Sequence, residues 1–277
     1  MSLLRKYWTI IGLICVILLG VSTTCFVKKA RSVDVQQTAS MITDTAKLSN
    51  KKIKWGLKRG KDNLQPEIGG INQNLLDGYK GLYMGGTEKK YIYLTFDEGY
   101  EAGYTDKILD VLKENNVKAT FFLTGYYLNK ETVLVKRMVD EGHIIGNHTV
   151  NHNSMPDLDD VKLKTEIKNL HTAVCEKIGY EMKYIRPPMG EYSERTLAIS
   201  NALGYTTVMW SFAYEDWDPN KQPNEEEAKN KIMSNIHAGE IMLLHATSST
   251  NANILDYCIK EIRKQGYEFK TLDEFER

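Results

Sequence analysis

The stretch Tyr91-Ile92-Tyr93-Leu94-Thr95-Phe96-Asp97-Glu98-Gly99-Tyr100 decides how this chain is read. Its first six residues are rich in β-formers and read as a buried strand. Two carboxylates and a glycine follow at once, so the strand ends in charge and a turn. Further on, His148-Thr149-Val150-Asn151-His152, Arg186-Pro187-Pro188-Met189-Gly190, Asp216-Trp217 and Leu243-Leu244-His245 each stand where an apolar run ends or has just ended. Together they supply two carboxylates, a paired-histidine site, an arginine and a third histidine. Such a set suits metal-assisted hydrolysis of an unactivated amide or ester.

Outward from residue 91 the pattern stays regular. Helical spacing over 105–115 is followed by a strand at 119–123, a helix at 130–141, a short strand at 143–146 and a long helix at 159–178. A strand at 183–186, a helix at 193–203, a strand at 206–212, a helix at 225–237, a strand at 241–245 and a helix at 251–265 complete the series. Strands alternating with helices imply βα units on a parallel sheet. Six or seven units without a G-x-G-x-x-G fingerprint predict a distorted or incomplete (β/α) barrel, with its chemistry at the C-terminal strand ends. Asp97, His148, Arg186, Asp216 and His245 all fall there.

Hydrolysis of an amide needs an activated water, a site for the developing oxyanion and an acid for the leaving nitrogen. His148 and His152, four apart, would share one face of a helical turn and bind one metal. No glutamate lies between them, so this is not the H-E-x-x-H of zinc proteases. Asp97 and Glu98 are neighbours at a strand end and point in different directions. One can face a metal and the other a water, or both can cap turn amides. Arg186 precedes two prolines that fix an extended segment, and so can hold a carboxylate in one orientation. Gly190 permits close backbone approach, which makes the Met189 amide a candidate oxyanion donor. His245 ends an apolar strand, where an isolated histidine is more often a satisfied core residue.

The N-terminal third has other business. Trp8 to Val27 is a run of 20 residues without charge, flanked by Arg5, Lys6, Lys28, Lys29 and Arg31. Twenty such residues span a bilayer core. With no A-x-A cleavage pattern, an uncleaved signal anchor (1–29) is preferred over a cleaved signal. Either places the main domain outside the cytoplasm. Residues 30–52 read as a polar linker, 53–90 as an irregular extension packed on the main domain, and 91–277 as the catalytic domain. Residues 28–90 hold 13 Lys/Arg against 6 Asp/Glu, whereas 91–277 hold 21 against 30. The acidic main domain argues against nucleic acid as a partner. The basic segment suits an anionic membrane or wall polymer, or a solvated linker. Cys15, Cys25, Cys175 and Cys258 show no C-x-x-C spacing. A Cys175–Cys258 disulfide is open to an exported domain.

Taken together, these residues resemble the polysaccharide deacetylase family of NodB-homology enzymes, over roughly residues 91–270. The resemblance implies a distorted (β/α)7 barrel and metal-dependent removal of acetyl groups from N-acetylated sugars. It implies Asp97 as general base oriented by Arg186, and His245 as general acid tuned by Asp216. His148 and His152 would hold one divalent ion, zinc by preference, with Trp217 and Leu243 lining the acetyl pocket. The family usually has aspartate as third ligand where this chain has Glu98, one methylene longer. Thr95-Phe96-Asp97-Glu98-Gly99-Tyr100-Glu101, Arg186-Pro187-Pro188-Met189-Gly190-Glu191-Tyr192-Ser193 and Trp210-Ser211-Phe212-Ala213-Tyr214-Glu215-Asp216-Trp217 are similar to the δ-lactam-biosynthetic de-N-acetylases. That implies N-acetylmuramic acid in the peptidoglycan of the spore cortex, after an amidase has removed the stem peptide. Met189, Gly190 and Tyr192 would then touch substrate, and Arg195, Lys58 or Arg59 would meet the lactyl carboxylate. Two alternatives stand beside this: a deacetylase of N-acetylglucosamine units, chitin fragments or xylan, and a catalytically weak sugar-binding protein.

Overall fold

A computed structural model describes residues 45, 47–60 and 63–277. The uncharged run at 8–27, and with it the anchor expectation, lies outside them. Among the described residues no helix is long and apolar enough to cross a membrane.

The chain begins with β1 (Ile53–Lys54), β2 (Leu57–Lys58), β3 (Glu67–Ile68) and α1 (Gly70–Gly78). Then come β4 (Tyr91–Glu98), α2 (Thr105–Glu114), β5 (Thr120–Leu123), α3 (Gly125–Lys130), α4 (Thr132–Asp140), β6 (Ile144–Asn147) and α5 (Asp160–Ile178). The remainder is β7 (Tyr184–Ile185), β8 (Glu191–Tyr192), α6 (Glu194–Ala202), β9 (Thr206–Thr207), α7 (Glu225–Met233), β10 (Glu240–His245), α8 (Ser249–Lys264) and β11 (Glu268–Lys270).

The main sheet runs β10-β4-β5-β6-β7-β9, all parallel, with β11 added on β4. Side chains alternate across its strands, and this sorts the core in two. Tyr93 on β4 joins Phe122, Ile144, Tyr184, Val208 and Ile241 on the concave side. Ile92, Leu94 and Phe96 face the helices, with Ile108, Leu112, Val135 and Ile167. Gly146 on β6 makes room on the concave side, since a Cβ there would stand 2.4 Å from the Phe122 ring.

The sheet curls into a half-barrel. The strand expected at 206–212 is ordered as β9 only over Thr206–Thr207. Its remainder crosses to β10, where Ser211 N donates to Ile241 O at 3.0 Å and Leu243 N to Phe212 O at 2.9 Å. Ser211 Oγ also accepts from Ile241 N and lies 2.8 Å from His237 Nε2. This fully buried contact ties the two ends of the sheet together.

Local sequence explains most boundaries. Asp159 and Ser193 cap α5 and α6 by accepting from Lys162 N and Thr196 N, and Gly179 ends α5 in the left-handed conformation at φ 75°. The helix expected at 130–141 is α4, and an unanticipated short helix, α3, precedes it. Glu131, at φ −118° and ψ 35°, separates the two, and Thr124 starts α3 by capping Tyr127 N. Strand β11 was not anticipated, because three residues near a charged terminus carry no periodic signal.

Residues 53–90 are more ordered than an irregular extension. β1 pairs antiparallel with β8, and Trp55, Leu76 and Tyr83 pack with Tyr192, Leu197 and Met209. Docking starts before residue 53: Ser49 N donates to Glu194 Oε2, Asn50 Nδ2 to Pro156 O, and Lys52 pairs with Asp157 and Glu191. Cys258 is a free thiol buried on α8, its pKa pushed up to about 12 by burial. The Cys175–Cys258 disulfide is therefore not made: the Cys258 side chain serves as apolar filling in the core.

Candidate active site

Parallel register carries the strand ends to one place. His245 on β10 pairs with Asp97 on β4, and Asn147 on β6 pairs with Ile185 on β7, so His148 and Arg186 emerge side by side. They open on a cleft of about 990 Å³ lined by Asp97, His148, His152, Met189, Gly190, Trp217, Leu243 and His245. Tyr100, Tyr126, Trp210 and Tyr214 complete an aromatic wall.

Arg186 is wholly buried. It donates from Nη1 to Asp97 Oδ1 at 2.8 Å and from Nε to Val208 O at 3.2 Å, and its guanidinium lies 4.2 Å from the Phe122 ring centre. A buried charge of this kind persists only when paired. Burial works to raise the Asp97 pKa, but Arg186, then His148 and His245, outweigh it and the net shift is downward. Asp97 is thus a carboxylate at neutral pH, held by one oxygen. Its other oxygen, Oδ2, lies 3.5 Å from His148 Nε2.

The two histidines meet differently from the helical turn expected. Residues 148–154 form a loop in which Thr149 has φ 65° and His152 φ 57°. A β-branched residue in that region is strained and needs surrounding support. Asn147 Oδ1 accepts from Thr149 N, and Thr149 Oγ1 accepts from His152 N. Gly125 lets α3 begin against this loop, where a Cβ would meet Val150 at 2.9–3.1 Å. The rings end up 4.8 Å apart, edge to face. His148 Nδ1 is 2.7 Å from Arg186 O, which fixes Nδ1–H as donor and leaves the Nε2 lone pair toward the cleft. Burial pushes His148 down to about 4 and lowers His152, whose ring is more open to the cleft. Both imidazoles are neutral at pH 7, the form that binds metal.

His245 is oriented by Asp216. Asp216, wholly buried, takes His245 Nδ1–H at Oδ1 (2.7 Å), and accepts from His245 N and Asn251 Nδ2 at Oδ2. Burial lowers the His245 pKa, but Asp216 outweighs it and the net shift is upward. Nε2 is left free toward the cleft, with Trp217 5.9 Å away, ring to ring.

The chain matches the family described as polysaccharide deacetylase over residues 84–208. It is 42% identical to the peptidoglycan-N-acetylmuramic acid deacetylase PdaA of Bacillus subtilis, covering 81% of this chain and 86% of that one. The chain belongs to the polysaccharide deacetylase family. As a member of that family it is a hydrolase. A peptidoglycan-N-acetylglucosamine deacetylase of Bacillus cereus is 34% identical over 71% of this chain and 72% of its own. The solved structure of B. subtilis PdaA, a family 4 carbohydrate esterase, superimposes with a TM-score of 0.80 at 41% identity, covering 82% of this chain and 98% of that one.

Glu98, Tyr192, Arg195 and Lys58, all singled out in the sequence, are turned away from the cleft or engaged elsewhere. Glu98 follows the alternation of β4 to the side of Phe96, away from Asp97. Its carboxyl is buried, neither oxygen has a hydrogen-bond partner, and burial raises its pKa well above the ordinary value. It does not join the imidazoles, and among the described residues no three His, Cys, Asp or Glu converge as a metal site. The two neutral imidazoles are of a form that suits a divalent ion, but the third protein ligand expected of Glu98 is not supplied. Tyr192 is wholly buried in the extension interface, where its hydroxyl donates to Asn72 Oδ1 at 2.9 Å. Arg195 is held by Asp160 and by Leu158 O, and Lys58 by Glu67. Sequence reasoning missed Tyr100, Tyr126, Trp210 and Tyr214. Their signal was present, as aromatics within a few residues of strand ends. Asn251, which steadies Asp216, had no signal.

Proposed function

We propose that this chain hydrolyses the N-acetyl group of N-acetylmuramic acid residues in peptidoglycan glycan strands. The observation that carries the reaction class is the placement of an ionised Asp97, held by Arg186, and of His245, oriented by Asp216, on one cleft. Asp97, fixed by Arg186, takes a proton from the attacking water. The water oxygen bonds to the acetyl carbon, and the carbonyl oxygen gains charge beside the Met189 amide. His245 Nε2 then gives its proton to the sugar nitrogen as the C–N bond breaks, releasing acetate and a free amine. Asp216 keeps His245 in the tautomer and charge state this needs. A divalent ion bound at His148 and His152, when present, supplies Lewis acidity to the acetyl carbonyl and the water. Trp217 and Leu243 close the acetyl end of the cleft.

The muramic substrate is supported by the likeness to B. subtilis PdaA over most of both chains. The freed amine would close onto the lactyl carboxyl to give the δ-lactam of spore cortex, once an amidase has cleared the stem peptide. Mass spectrometry of muropeptides from peptide-free glycan treated with enzyme tests this: the expected product is muramic residues lacking acetyl. Acetyl lost from glucosamine alone would transfer the assignment to the second reading, which the B. cereus relative favours.

Metal should bind through the two imidazoles. His148→Ala is expected to abolish both calorimetric zinc binding and metal-stimulated turnover, whereas Glu98→Gln should leave zinc affinity as it is. Zinc binding by His148→Ala equal to the parent would remove this site. The uncharged run at 8–27 supports a membrane-anchored domain outside the cytoplasm. External protease should therefore digest residues 91–277 in cells stripped of wall, and full protection would contradict that placement.

A further inference from the structure

The lactyl group is the feature that separates muramic acid from glucosamine, and with the stem peptide gone it ends in a carboxylate. Among the described residues no lysine or arginine lines the cleft. Asp97, the only acidic residue among the described lining residues, is already matched by Arg186. A carboxylate entering this site away from His148 and His152 finds a side-chain cation only beyond the lining.

Among the described residues, three cations besides Arg186 touch lining residues from outside, and one of them, Lys177, is spent on Asn129 Oδ1 at 2.7 Å. Lys130 lies 6.0 Å from the ring centre of Tyr126, in a hollow that also holds Glu101 and Glu131. Arg59 is exposed and donates from Nη2 to Ala213 O at 3.0 Å, over the Phe212 ring. Among the described residues no carboxylate pairs with it, while its neighbour Lys58 is engaged with Glu67. The backbone that carries Arg59 is fixed along the cleft wall. Trp55 N donates to Gly190 O at 2.8 Å and Trp55 Nε1 to Trp210 O at 2.8 Å, so contacts at 55 and 59 fall on the lining residues Gly190, Trp210 and Ala213. Gln65 ties down the return of the hairpin β2–β3, donating to Gly85 O and Ala238 O.

The geometry points to Arg59, on the N-terminal extension, as the residue that receives the free lactyl carboxylate and so selects peptide-free muramic acid over N-acetylglucosamine. This rests on the muramic reading above. One guanidinium edge is anchored on Ala213, and the remaining donors are available to a carboxylate at the mouth of the cleft. The extension thereby becomes part of the substrate site rather than a brace.

The test uses the parent enzyme, Arg59→Gln, Arg59→Lys and Lys130→Gln on three substrates. These are peptide-free muramic glycan, the same glycan with its lactyl carboxyls converted to methylamides, and N-acetylglucosamine oligomers. A charge-assisted contact at a solvent-facing rim predicts that Arg59→Gln raises KM on the free-acid glycan roughly 5–10-fold. The increase should shrink toward unity on the methylamide glycan and at high salt, and Arg59→Lys should recover part of it. A purely structural role would raise KM equally on the acid and methylamide glycans, and that result overturns the proposal. So does a larger acid-specific effect from Lys130→Gln. A parent enzyme that turns over glucosamine oligomers but no muramic glycan would instead sink the muramic reading itself, and this proposal with it.

Discussion

Asp97→Asn is expected to lower kcat roughly 10²–10⁴-fold, the usual worth of a general base. The substitution is nearly isosteric. The asparagine carbonyl can still accept from Arg186 Nη1, now 2.8 Å from Asp97 Oδ1. What it loses is the charge. Arg186 is then buried without a counter-ion, a situation that costs about 3–5 kcal/mol when a pair is broken outright. A lower melting temperature should therefore accompany the lost rate. The two effects separate if turnover is measured well below the melting transition: a rate within a few-fold of the parent there would dismiss Asp97 as the base.

His245→Ala is expected to cost a similar factor, about 10²–10⁴, because the departing amine then has no proton donor. The pH profile gives the sharper reading. His245 must be protonated to act, and its pKa is raised above 6.5 by Asp216 against the effect of burial. Activity should fall as pH climbs through that raised value. Asp97 must be ionised, and Arg186 holds its pKa below 3.8 against the effect of burial. Activity should fall on the acid side only near that lowered value, where His148, at about 4, also gains its proton. Asp216→Asn removes the group that raises His245, so the alkaline limb should move to lower pH. A profile flat from about 5 to about 9 would contradict an acid–base pair of this kind.

Strand ends made much of the site legible. Asp97, His148, Arg186 and His245 were each marked by an apolar run stopping at a polar residue, and parallel register then brings them together without further information. Asp216 was marked by its neighbour Trp217. Glu98 was legible too, by counting in twos from Phe96 to the outer face. The family's usual third ligand argued against that count, and the buried, unpartnered carboxyl sides with the count. The histidine loop was not legible, because nothing in a Thr-Val sequence announces a threonine at φ 65°. That conformation is imposed by Asn147 and by the close approach of Gly125. Tyr192 was misplaced because its partner Asn72 lies 120 positions away, on an extension whose docking no periodicity records. Arg59 stood among three equal candidates for the same reason. Only the fold shows Arg195 and Lys58 engaged elsewhere and Arg59 at the cleft wall.

The most direct measurement compares acetate release by purified residues 48–277, loaded with zinc, from peptide-free muramic glycan and from N-acetylglucosamine oligomers at equal sugar concentration. Release from the muramic glycan, absent in Asp97→Asn and far exceeding release from the oligomers, is the predicted result. Equal rates on the two substrates would contradict the muramic assignment, and no release from either would contradict the account of the site.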